Sequence, residues 1–344
     1  MRVTSILQPG GYTEMTYKIP EALCIKGGAV AVDQSSGDGP AFLPCGVTLA
    51  LMDELTLVSM VAADRTHRPG VSVALSCEMH DPVGPGETVT LKSNGVKMGS
   101  RMGYGEARMY RADGKLAARG RHIKFLPMGR FWDLCMNPII FPLLAYVMRW
   151  RHDQVLRKER QMKDVPRGER LTDMFKIQDL TVVDAAETTR DENADEGSAV
   201  SATDPFKPKP VFQQRESDLM RLAEGEVELT QRHLNYMPGT FHGGAIAISA
   251  EEIARRCLPW WSEDGSDEPF RDPRVRYMEV HYMSPIKKRA GLSAVSSGTS
   301  SQATENKVTR VAISEVGGSK RGPLCADALL LWGEGPQKEE SRGS

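Results

Sequence analysis

The sequence predicts an α+β chain in which one structural unit is written twice. Three observations carry that prediction. Two apolar segments of helical character, 42–63 and 245–257, are each followed by short alternating segments cut by Pro, Gly and Asn turns. The order strand, helix, four strands recurs at an offset near two hundred residues. Between the copies, 184–210 is acidic, then Ser/Ala-rich, then Pro-rich, with scarcely a large apolar residue, which is the composition of an exposed linker.

Each element has a local reason. The N-terminal MRVTSILQPGGYTEM has no apolar core segment and reaches Glu14 early, so no signal peptide is expected. Residues 42–63, FLPCGVTLALMDELTLVSMVAA, contain no Pro after Pro44 and are apolar almost all round, which predicts a buried helix of about five turns. Strands are expected at 71–80, 86–97, 101–112 and 115–126, and Ala112-Asp113-Gly114-Lys115 is the clearest hairpin turn among them. The apolar run Pro138–Val147 and the charged stretch after it predict a helix from about 139 to 162, packed on a sheet in preference to a membrane surface. In the second half, a strand at 225–234 and a loop ending His242-Gly243-Gly244 lead into the helix at 245–257. A turn-rich insertion follows at 258–273. The segment 275–291 then repeats the plan of 71–86, a strand, a Pro and a Gly, and the last strands fall at 292–300, 306–315 and 322–332. The chain divides accordingly into an N-terminal domain 1–130, a connecting region 131–210, a C-terminal domain 211–335 and a tail 336–344.

Composition narrows the function classes. The 344 residues exceed the ~100–200 of one ordinary domain. Forty-four Lys and Arg balance forty-five Asp and Glu, which argues against a nucleic-acid-binding protein resting on a basic face and favours small-molecule or protein partners. No uninterrupted apolar run approaches the ~20 residues of a membrane-spanning helix, so no integral membrane segment is expected. The six Cys form no C-x-x-C pair and stand near no His at ligand spacing, so neither a metal site nor a disulfide framework is expected. An intracellular location follows, cytoplasmic by default, with a mitochondrial one left open.

Candidate chemistry sits where each helix begins. His242-Gly243-Gly244 opens the second helix, where glycines allow close approach to unpaired N–H groups and the helix dipole favours an anion or a developing oxyanion. Nine residues beyond His242 stands Glu251, and nine beyond Pro44 stands Asp53, each a carboxylate on an otherwise apolar segment. An unpaired carboxylate among Leu49, Leu51, Met52, Leu55 and Leu57 is expensive, which favours a site over a solvated face. On these residues the chain resembles the hotdog-fold acyl-CoA thioesterases, especially the phenylacetyl-CoA thioesterase branch, over roughly 22–127 and 222–333.

The resemblance implies two fused hotdog domains, each a long central helix wrapped by an antiparallel sheet, packed as a pseudo-dimer. It implies a thioester hydrolase acting on a fatty or other acyl-CoA, with no cofactor, since coenzyme A is part of the substrate. One composite site would pair Asp53 with Gly243, His242 and Gly244; a second would pair Glu251 with the first helix start, where Pro44-Cys45-Gly46 replaces His-Gly-Gly and Cys45 and Gly46 would meet the substrate. Crowding by Cys45 is expected to weaken or abolish this second site. Asn235 would match an asparagine of the loop before the helix. Pairing of double-hotdog units into a homo-oligomer is a further implication. Two alternatives stand beside hydrolysis: a non-catalytic acyl-CoA binding or scaffold protein, and a hydratase or dehydratase on the same fold.

Several residues keep a second reading. Glu251 and Arg255 have the spacing of an exposed i,i+4 ion pair. His242 could cap its helix, and Cys45 has no local base and reads more readily as structural than as a nucleophile. Trp260-Trp261 could line an acyl tunnel or cover a sheet edge. Lys287, Lys288 and Arg289 could meet phosphates or form a solvated turn.

Overall fold

The computed structural model describes residues 2–8, 11–26, 41–126, 177–184, 218–229, 240–257, 274–287, 289–299, 307–317 and 320–333, with isolated positions between 140 and 154. Asn235, Trp260, Trp261, Lys288 and, apart from isolated positions, the segments 139–162, 184–210 and 258–273 lie outside the described residues. Strands β1 (Arg2–Gln8), β2 (Tyr12–Lys18), β3 (Ile25–Lys26) and β4 (Ala41–Phe42) lead to helix α1 (Cys45–Ala63). Then come β5 (Val71–Met79), β6 (Thr88–Met98), β7 (Met102–Tyr110), β8 (Leu116–Phe125) and β9 (Ile177–Asp184). The second half holds β10 (Asp218–Glu228), helix α2 (Gly243–Arg256), β11 (Arg274–Tyr282), β12 (Arg289–Thr299), β13 (Lys307–Gly317) and β14 (Lys320–Gly333).

Twelve of these strands form one antiparallel sheet in the order β1-β2-β6-β7-β8-β5-β11-β14-β13-β12-β10-β9. The order is a mirror: β2-β6-β7-β8-β5 in one half is answered by β11-β14-β13-β12-β10 in the other. The mirror line is the β5–β11 ladder, where Leu75 pairs with Val280 and Cys77 with Met278, all four buried. A single large antiparallel sheet with few helices agrees with the expected α+β class.

Differences from the expected elements have physical causes. Leu43 precedes a proline and stays extended, and Pro44 caps α1 at φ −64° and ψ 154°, so the helix begins at Cys45 and not at 42. The strand expected at 225–234 begins at Asp218 and ends at Glu228. The β1–β2 hairpin and β9 were not anticipated. In β2 the inward residues Thr13 and Met15 are one polar and one apolar, a weak alternation signal. The turn at 112–115 forms as expected, with Gly114 at φ +83°.

Both helices pack on one face of the sheet and against each other. α1 buries eleven of its nineteen residues, among them Leu49, Met52, Leu55 and Met60, each side chain contributing roughly 1.5–3 kcal/mol of burial. Its length and hydropathy match a membrane crossing, which the run-length reading of the sequence overlooked, but this helix is largely buried inside the fold. Where the helices meet, a Cβ on Gly244 would lie 2.6 Å from Ala50 Cβ, and one on Gly46 would lie 2.9 Å from the Ala247 carbonyl oxygen. Each helix start therefore lies beside the body of the other helix.

Candidate active site

That reciprocal contact brings Asp53 of α1 to the beginning of α2. A Cβ on Gly243 would stand 3.0 Å from Asp53 Oδ2, so the carboxylate faces the Gly243 backbone directly. Asp53 is only 5 % exposed, and an ionised group at that depth requires partners. It has them on three sides. His242 Nδ1 lies 3.9 Å from Oδ2 and His122 Nε2 lies 3.5 Å from Oδ1. The positive end of the α2 dipole completes the set, because the first amides of a helix have no acceptor within it.

His242 is the N-cap of α2: its Nδ1 accepts from Gly244 N–H at 3.0 Å. Its Nε2 meets Glu54 Oε1 at 2.5 Å on the open side of the site. Burial works to lower its pKa, yet the hydrogen bond to Glu54 and the charges of Asp53 and Glu54 outweigh burial and raise it. Two demands therefore compete, since the carboxylates favour a proton that the Gly244 cap excludes from Nδ1. The reciprocal effect holds Glu54 below its usual value, chiefly through the His242 hydrogen bond.

Three further side chains reach this cluster and were missed from the sequence. Tyr282 of β11 donates its hydroxyl to the Gly243 carbonyl at 2.8 Å, and burial together with the Asp53 charge keeps the phenol well above its usual pKa. His122 and Lys124 of β8 both point inward, at 0 % and 4 % exposure. Burial lowers the pKa of each, to about 3 for His122, while the Asp53 charge acts in the opposite direction on both. Their signal lay in the alternation of β8: Ile123 and Phe125 face outward while His122 and Lys124 face the core, the reverse of the usual pattern.

The mirror-related position is differently furnished. Glu251 Oε2 accepts from Gly46 N–H at 2.5 Å, and Glu251 Oε1 meets Arg255 Nη2 at 2.5 Å. The Arg255 guanidinium lies 5.3 Å from the Trp332 ring centre and 5.7 Å from that of Phe42. The Glu251–Arg255 pair thus forms, but buried and not on an exposed face as its spacing suggested. It occupies the amide of the first helix start. A hydrogen bond to Cys77 and burial push the Cys45 thiol well above its usual pKa, so it is held as a neutral thiol. Lys287 and Arg289 are exposed, and Arg289 pairs with Glu226 at 3.2 Å. Among the described residues no group of three His, Cys, Asp or Glu is arranged to hold a metal ion.

The fold and this cleft define a protein with a buried carboxylate from one half aimed at a helix start of the other. Residues 45–118, which carry Asp53 but not His242-Gly243-Gly244, match the model of the thioesterase superfamily. No curated protein matches. Among solved structures, zebra fish thioesterase superfamily member 2 is similar at 25% identity, covering 36% of this chain and 80% of its own, with a TM-score of 0.30. The 12:0-ACP thioesterase from Umbellularia californica is similar at 12% identity over 95% of both chains, with a TM-score of 0.48. An acyl-ACP thioesterase from Bacteroides thetaiotaomicron is similar at 12% identity over 94% of this chain and 98% of its own, with a TM-score of 0.45.

Proposed function

We propose that the chain is an acyl-CoA thioesterase built as a double-hotdog pseudo-dimer with one working site, made by Asp53 of the first half and the His242-Gly243-Gly244 helix start of the second. The observation that carries this reading is the placement of the Asp53 carboxylate 3.0 Å from where a Gly243 Cβ would be. A thioester carbonyl brought to the edge of this contact would meet both a carboxylate and the N–H groups at the positive end of a helix.

In that geometry Asp53 either attacks the carbonyl carbon or takes a proton from the attacking water. The Gly243 N–H and the α2 dipole stabilise the oxyanion of the tetrahedral intermediate. Collapse of that intermediate expels the coenzyme A thiolate, a good leaving group that needs no strong acid. Glycine at 243 leaves room that a side chain there would take from the carboxylate and the Tyr282 hydroxyl. Mirror position Glu251 does not serve a second site in this reading, because its oxygens are committed to Gly46 and Arg255.

The test is thiol release from a panel of acyl-CoA esters by wild type and Asp53→Asn. Loss of turnover by about 100-fold or more in the variant, with unchanged thermal stability, supports the assignment. An equal rate in both proteins removes Asp53 from the chemistry, and binding of acyl-CoA without thiol release by wild type selects a binding protein instead.

A further inference from the structure

We infer that His122 is a positioning residue for Asp53, holding the carboxylate toward Gly243 through the Nε2 edge of its ring while Thr56 anchors the opposite edge. This rests on the reading of Asp53 as the acid of the site. The first support is the reversed alternation of β8, which places a wholly buried imidazole where the sheet otherwise presents Ala118 and Gly120 to the helices. Local rules of this kind are broken mostly where function requires it.

The second support is the ring's own contacts. His122 Nδ1 lies 2.7 Å from Thr56 Oγ1, and Nε2 lies 3.0 Å from Ser72 Oγ and 3.5 Å from Asp53 Oδ1. Asp53 and Thr56 stand three residues apart on α1, so the helix that supplies the carboxylate also supplies the anchor of the ring that faces it. Both edges of the imidazole are thus fixed from elements already rigid.

The neighbouring charge favours one placement of the ring proton. Burial keeps the ring neutral, so it carries a single N–H. An Nε2 lone pair would face the Asp53 anion at 3.5 Å in a poorly solvated setting and repel it, whereas an Nε2–H attracts it. With the proton on Nε2, the N–H is directed at Ser72 Oγ, 3.0 Å away, and toward the more distant Asp53 Oδ1, while the Thr56 hydroxyl, which also donates to the Met52 carbonyl at 2.6 Å and the Asp53 carbonyl at 3.0 Å, stands 2.7 Å from Nδ1. The other titratable groups facing this point are His242 and Lys124, which also attract the carboxylate but from different sides. A ring locked at both nitrogens supplies direction, which a lysine on a flexible stem does not.

The experiment compares His122→Gln, whose amide can reach the Nε2 position, with His122→Asn, whose amide falls nearer Nδ1, in the acyl-CoA hydrolysis assay. Expected is a kcat for His122→Gln within about threefold of wild type and a fall of up to about 100-fold for His122→Asn, with KM little changed. In an Asp53→Asn background the His122→Asn change should have almost no further effect, which a merely structural residue would not satisfy. Should either His122 variant fail to fold, Thr56→Val removes the hydroxyl beside Nδ1 and should lower kcat in the same direction. Equal losses for Gln and Asn that follow melting temperature, or an unchanged kcat in Thr56→Val and His122→Asn, overturn the inference. If Asp53→Asn hydrolyses as well as wild type, the Asp53 reading itself has failed, which is a separate outcome.

Discussion

Around Asp53 the residue-scale chemistry is an exchange of protons and hydrogen bonds among neighbours that each have more than one claim on them. His242 is the clearest case. Its pKa is raised in the folded chain, so the stability it contributes as an imidazolium is complete below its unfolded value near 6.5 and fades as pH rises through the higher folded value. Nuclear magnetic resonance titration should therefore place His242 above 6.5, and Glu54→Gln should lower it by removing the carboxylate's charge; an unshifted titration in the variant would show that Glu54 is not the cause. Gly243→Ala should cut hydrolysis by about 10- to 100-fold at little cost in stability, because the added methyl presses on the carboxylate and not on backbone. The residues legible from sequence were those on helices, where a nine-residue spacing is visible along the chain. Tyr282, His122 and Lys124 come from strands distant in sequence, and only their inward placement gives them meaning.

The two helices and the strand ladders set this geometry at the next scale up. Gly244→Ala would drive a Cβ into the Ala50 backbone at 2.8 Å, so the helices must separate, and a loss of about 1–3 kcal/mol in unfolding free energy is expected by chemical denaturation. Arg255→Leu should cost more, about 3–5 kcal/mol, since it leaves Glu251 buried against the first helix start without its counter-charge. At the far end of α1, Asp64 binds Arg68 through both carboxylate oxygens and sits well below its usual 3.8, chiefly because of that hydrogen bond. Its contribution is present above that usual value and is lost as pH falls below it, so Asp64→Asn should flatten the acid limb of the stability profile measured by urea unfolding. Helices and the strands after them could be read from sequence because apolar period and turn residues agree there. The ends of elements could not, as Pro44 shows by delaying α1 to Cys45. Nor could the β1–β2 hairpin, whose short alternation is too weak to identify strands.

At the scale of the whole molecule the mirrored strand order sets two unlike helix starts in matching places. This order keeps both helix starts equivalent in position, while the residues at them differ: Asp53 faces Gly243 at one, and Glu251 is bonded to Gly46 N–H and Arg255 at the other. Calorimetric titration of a non-hydrolysable acyl-CoA analogue should accordingly give one site per chain; two equivalent sites would show that the buried ion pair yields to ligand.

The β5–β11 ladder has one more consequence. It joins the halves side by side through backbone hydrogen bonds and buried apolar pairs, while the covalent link between them lies elsewhere, in the stretch between β8 and β10. The union is of the kind that two separate molecules make. A chain severed in the stretch between β8 and β10 and produced as two polypeptides therefore has the means to reassemble, and neither piece alone holds both the carboxylate and the glycine amide. Recovered hydrolysis on mixing would make each fragment a reporter of the other.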